Sequence, residues 1–152
     1  MKRFTAILFL LISLIAFASA DTGYILCQPD SFVYARMFPV RGSEVAGMLE
    51  LGDEIETDWV KRNGFVKVYG FEAGEAWVHS GFITEYPVKV ETVEMTIISK
   101  GRVACRRSIK GTRRKWLTNG TKLTVYGRSA DWSVTNKGFI QTDFLGFSGA
   151  SD

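Results

Sequence analysis

The sequence predicts an all-β protein: two small antiparallel barrels or sandwiches in tandem, behind an N-terminal leader. Three observations carry this. Helical periodicity is almost absent beyond residue 20. Short runs rich in Val, Ile, Thr and aromatics recur between turn residues, the pattern of short strands. The same blocks of sequence also occur twice in the same order, an internal repeat of about 65 residues.

The leader comes first. Lys2 and Arg3 precede the apolar run "FTAILFLLISLIAFASA", with small Ala18 and Ala20 ahead of Asp21. A basic start, an apolar centre and a small-residue end read as a secretory signal peptide over residues 1–20, cut after Ala20. An uncleaved anchor is the alternative, but the run is short for a span of about 20 apolar residues. No later segment is long and apolar enough to cross as a helix, so an exported product without a membrane span is expected.

The first domain is read over 21–86, as "GYILC", "SFVYAR", "VAGMLEL", "EIETDWV", "GFVKVYG" and "AWVH". The second, over 96–147, runs through "MTIIS", "RVACRR", "KWLTNG", "KLTVYG", "DWSVT" and "GFIQ". Asn63-Gly64 and Asn119-Gly120 mark turns. Between the domains, residues 87–95 serve either as a linker, given Pro87 and alternating charge, or as an edge strand pairing through Val88, Val90 and Val93. Residues 148–152 form a tail, and the closing "GFSGASD" is expected to fray.

In the repeat, "EAWVHSGFI" (75–83) aligns with "KGFIQTDFL" (137–145), "ELGDEIET" (50–57) with "TNGTKLTV" (118–125), and "FVYAR" (32–36) with "RVACR" (102–106). His79, the only histidine, thus stands opposite Gln141. An amide cannot replace a catalytic base or a zinc ligand, but it can replace a hydrogen-bonding group at a turn. His79 is therefore expected to be structural.

These blocks resemble the bacterial SH3 (SH3b) domain twice over, across nearly the whole chain after the leader. In copy one the resemblance rests on Val33-Tyr34-Ala35-Arg36, Leu51-Gly52-Asp53, Phe65-Val66-Lys67-Val68 and Ala76-Trp77-Val78. In copy two it rests on Val103-Ala104-Cys105-Arg106, Asn119-Gly120, Trp132-Ser133-Val134 and Gly138-Phe139-Ile140. The pairing is also similar to tandem modules of gut bacteria and their phages. Ala35 and Cys105 depart from the family's usual valine, and copy one has a longer loop, "YGFEAGE". The resemblance implies two tandem SH3-like barrels. It also implies a module that targets peptidoglycan, commonly alongside a lytic or signalling partner.

No catalytic constellation is visible. One histidine and two cysteines make no closed zinc site, and no Gly-rich phosphate loop is present. An enzyme, a metal and a cofactor are not expected. Export permits one disulfide within the chain, Cys27–Cys105, which would lock the two domains together. The alternative is two buried free thiols, which Ala35 opposite Cys105 supports.

Charge divides the chain. Residues 24–87 hold five Lys/Arg and ten Asp/Glu, a net of −5; residues 88–152 hold twelve and five, a net of +7. The loop "RRSIKGTRRKW" gathers Arg106, Arg107, Lys110, Arg113, Arg114 and Lys115 and ends at the aromatic Trp116. Arginine forks bind carboxylate and phosphate. Nucleic acid fits that chemistry but not an exported address. The expected binding residues are Tyr34, Arg36, Phe38 and Arg41 after the first "VYAR", with Arg106, Arg107, Arg113, Arg114 and Trp116 after "VACR". The partner is peptidoglycan or another envelope polymer, or an acidic protein. A purely internal explanation stands beside these: the basic loop could dock on the acidic first domain.

Overall fold

A computed structural model describes residues 20–148. The leader read over 1–20 and the tail over 148–152 lie outside these, apart from Ala20 and Ser148. Two antiparallel sheets of seven strands each fill the described residues. The first holds β1 (Asp21–Ile25), β2 (Val33–Arg36), β3 (Val45–Leu49), β4 (Glu54–Arg62), β5 (Phe65–Phe71), β6 (Gly74–His79) and β7 (Ile83–Thr84). The second holds β8 (Lys89–Ile97), β9 (Val103–Arg106), β10 (Arg113–Leu117), β11 (Lys122–Arg128), β12 (Trp132–Thr135), β13 (Gly138–Gln141) and β14 (Leu145–Phe147). Their spatial orders are β3-β2-β6-β5-β4-β1-β7 and β10-β9-β13-β12-β11-β8-β14. Adding seven to each label of the first list gives the second, so the repeat seen in sequence is a repeat of topology.

Two readings of the chain are refined. The bridge at 87–95 is a strand over most of its length, not a linker: over 89–94 it pairs with β11 alone, Val90 opposite Gly127 and Val93 opposite Val125, so the edge-strand alternative holds there. Residues 89–97 are β8, which β14 joins on the far side only at 95–97, so the connection shrinks to residues 85–88. The fraying "GFSGASD" loses its first two residues to β14, where Phe147 pairs with Met95, and Ser148 Oγ lies 2.8 Å from Thr96 Oγ1.

Each sheet curls round its own interior. Ile25, Val33, Ala35, Val66, Val68 and Val78 meet in one cluster; Ile97, Val103, Cys105, Leu123 and Ile140 meet in the other. Cys27 belongs to the first cluster and Cys105 to the second, and both are free thiols. This corrects the possible disulfide: each sulfur fills space in a different core and contacts its own module's backbone, Cys27 the carbonyl of Ser31 and Cys105 that of Lys137. Burial, aided by Asp53 and Glu50, pushes the Cys27 thiol up to about 11; burial also raises Cys105. Reductant should therefore leave the melting temperature unchanged, and a thiol reagent should modify neither cysteine until the protein is unfolded. A reductant-dependent loss of stability would restore the bridge.

A third apolar cluster joins the modules without any covalent link. Leu26 packs with Trp132, Val134 and Phe139 of the second module, with Leu51 and Phe82 alongside. The register explains how the second module accepts it. On β5 and β6, Lys67 pairs with Trp77; on β12 and β13 the same places hold Val134 and Phe139. The first pair is a cation–π contact, 5.4 Å from Lys67 Nζ to the ring centroid, in which the partly exposed lysine covers the buried Trp77. Its counterpart is apolar because the first module covers it. On the inner face the exchange is reversed: Val66 and Val68 become Ser133 and Thr135, and the hydroxyls are satisfied by Thr142 Oγ1 and the Gly138 carbonyl. All four residues of β12 are consequently buried.

Hydrogen bonds complete the joint. Ile109 N–H donates to the Gly81 carbonyl at 2.9 Å, Gln28 Nε2 to the Thr135 carbonyl at 2.9 Å, and Thr84 Oγ1 to Asp131 Oδ1 at 3.1 Å. A Cβ on Gly81 would lie 2.7 Å from Ser108 Oγ, and one on Gly127 would lie 2.7 Å from Leu51 Cδ1. Glycine at these two places lets the modules close together.

Candidate functional site

The docking of the modules creates a groove of about 560 Å³ along their seam. The first module contributes Phe32, Tyr34, Arg36, Arg41 and His79; the second contributes Arg107 and Ser108. A smaller groove of about 240 Å³ continues it, sharing Phe32, Phe82 and Arg107 and adding Arg114 and Phe139. No Asp or Glu lines either one.

An aromatic row forms the wall. Phe65 meets His79 edge-on with centroids 5.5 Å apart, His79 lies 5.7 Å from Phe82, and Phe82 lies 6.0 Å from Phe139. The row therefore passes from one module into the other. Ser108 is 9% exposed, and its hydroxyl makes no hydrogen bond to any described residue, so it is free for a ligand.

The expected binding residues separate into groups. Tyr34, Arg36, Arg41 and Arg107 come together in the main groove, and Arg114 in its extension. Phe38 stands apart in its loop, 64% exposed, and lines neither. Arg106 lines neither as well: its guanidinium donates to the Gly111 carbonyl at 2.9 Å. Arg36 makes the equivalent bond to the Ser43 carbonyl at 2.7 Å. The arginine ending each repeat strand thus ties down the loop that follows it. Arg113 and Trp116 lie outside the groove on β10, where Trp116 receives Arg113 at 4.5 Å and Arg102 at 5.1 Å from its ring centroid.

Internal neutralisation of the basic loop is not what holds the modules. The ion pairs among the described residues are Lys67–Glu75, Lys89–Glu91 and Arg128–Glu91, each within one module. The basic residues of β9, β10 and the loop between them have no carboxylate partner there.

His79 needs a fuller account than its alignment with Gln141 suggests. Its Nδ1 accepts the Gly81 N–H at 3.1 Å, capping the 3₁₀ turn Ser80–Phe82, whereas Gln141 makes no such bond at Thr142–Phe144. The turn-capping role is real, and the ring also lines the groove. Phe32, Phe82 and Ser108 are further members that local patterns did not mark, because their partners come from distant parts of the chain.

Burial, and then the Arg41 guanidinium, hold the His79 imidazole below its ordinary 6.5. Unfolded chain therefore takes up the proton first as pH falls. The resulting loss of stability begins near 6.5 and grows as pH drops towards the lowered native value. His79→Gln should remove this contribution. Between about pH 8 and about pH 5 the melting temperature of the natural protein should fall further than that of the variant. Equal falls would contradict the assignment.

No protein-family profile matches the chain, and no curated protein matches it. Among solved structures it is similar to NlpC1 from Trichomonas vaginalis, at 15% identity and a TM-score of 0.37, over 88% of this chain and 48% of that one. It is also similar to NlpC2 from the same organism, at 14% identity and a TM-score of 0.37, over 90% and 52%. The chain spans about half the length of each.

Proposed function

We propose that this chain is an exported, non-enzymatic binding protein whose two modules act as one unit. Its groove holds a carboxylate-bearing ligand of the cell envelope, with peptidoglycan as first choice. The observation that carries the reading is the groove itself: Arg36, Arg41 and Arg107 beside an aromatic wall, with no acidic residue lining it. Such a site attracts anions, and its rings cover the apolar parts of whatever bears them. The address rests on the leader sequence and on the SH3b resemblance.

His79 and Ser108 are not set up as two members of a Ser-His-acid relay. His79 Nδ1 is taken by a backbone N–H, no carboxylate stands in the groove to orient the ring, and Ser108 is not hydrogen-bonded to it. The parts of a Ser-His-acid relay are not assembled. A second reading, a rigid unit capping an acidic protein partner, draws support from the fixed docking of the modules.

Co-sedimentation with insoluble peptidoglycan separates the two. Retention at about 0.05 M salt, weakened at about 1 M where the screening length is about 3 Å, is the expected result. Absence of retention at either salt, with capture of an acidic protein from the producing cell, would move the assignment to the second reading.

A further inference from the structure

Each module carries an aromatic ring on the outer face of the same hairpin. Tyr34 of β2 faces Met48 of β3, and the repeat places Ala104 of β9 opposite Trp116 of β10 at the same position. The aromatic has changed strands while staying on the same cross-strand pair. Both rings are exposed, Tyr34 by 45% and Trp116 by 42%. Both also carry guanidinium: Arg36 stands 5.5 Å from the Tyr34 centroid, while Arg113 and Arg102 flank Trp116. In the first module this ledge is part of the groove. In the second it lies beyond it.

We infer that the Trp116 ledge is a second anchoring point for the ligand held in the groove. That ligand is accordingly a polymer with a repeating carboxylate, not a single small acid. The inference rests on the groove reading above. The indole positions two guanidiniums that would otherwise wander, and a stacked guanidinium keeps its N–H edge free for a carboxylate. Neither Arg102 nor Arg113 is in an ion pair with any described residue.

The path between the two points is short. Arg114 lines the groove's extension, and Trp116 lies two residues further along β10, about 7 Å at strand spacing. Arg107 and Arg114 thus stand at the seam, and Arg113 and Arg102 at the ledge. A nucleobase would need a bare ring face to stack upon. Here the ring is already engaged by cations, and what it offers outward is charge.

The test compares polymer with monomer. Trp116→Ala, and separately Arg102→Gln with Arg113→Gln, should lower retention on insoluble peptidoglycan at least tenfold, since a linked second contact multiplies affinity. Neither should change the affinity for a soluble disaccharide-peptide monomer released from it. The double arginine variant keeps the indole and guards against a folding artefact, checked by melting temperature. Unchanged polymer retention in both variants, with monomer binding intact, would overturn this inference and leave the groove reading standing. Failure of the natural protein to bind either form would overturn the groove reading itself. Trp116-dependent binding of a single-stranded oligonucleotide in place of peptidoglycan would overturn the choice of polymer.

Discussion

Leu26→Ala should lower the melting temperature by roughly 10 °C, from a loss of about 3 kcal/mol for emptying a closed apolar site. The residue is wholly buried, yet its neighbours in the cluster are Trp132, Val134 and Phe139 of the other module. It follows β1 directly, and its N–H donates to the Phe82 carbonyl at 3.0 Å, so its backbone belongs to one module and its side chain to the seam. Truncation therefore weakens the docking while leaving both interiors intact. Peptidoglycan retention should fall with it, because the groove exists only when the modules are joined. Met48→Ala serves as the control: at 59% exposure it should shift stability by no more than about 0.5 kcal/mol. Calorimetry of the two variants checks the pair. A Leu26→Ala protein that melts like the control would mean that the seam contributes little.

The second large effect concerns binding. Arg41→Glu combined with Arg107→Glu should reduce affinity for peptidoglycan a hundredfold or more. Each charge-assisted hydrogen bond contributes about 1.5–3 kcal/mol, and reversal adds repulsion. These two are the right choices because both side chains are exposed and neither forms an ion pair or side-chain hydrogen bond with a described residue. Arg36 would be a poor choice, since it also ties down its loop through Ser43. Lys100→Glu with Lys122→Glu changes net charge equally on exposed positions away from the groove. If both double variants lose retention alike, general charge attraction accounts for it and the groove does not.

The repeat was legible because hydrophobic and turn positions recur in order, and the topology follows from it strand by strand. The bridge reads both ways in sequence because Pro87 and alternating charge look alike in a linker and in an edge strand, which is what residues 89–94 form. The groove was half legible. Tyr34, Arg36, Arg41, Arg107 and Arg114 follow from the motif ends and the basic loop, but Phe82 and Ser108 acquire a role only when the modules meet. One local signal for that meeting exists. Where copy one has Lys67 opposite Trp77, copy two has Val134 opposite Phe139, an outer face turned apolar between repeats. Such a switch between copies says that something covers the second face, although it does not say what.

The seam also imposes an order on biogenesis. A chain made from its N-terminus completes the first module before the second exists, leaving Leu26, Leu51 and Phe82 without their cover. Phe139 is synthesised well after Phe82, at roughly 5–20 residues per second a delay on the order of several seconds. During that interval the nascent first module presents an adhesive apolar face. Keeping the chain unfolded until it is complete, as passage through an export channel does, would spare it that exposure.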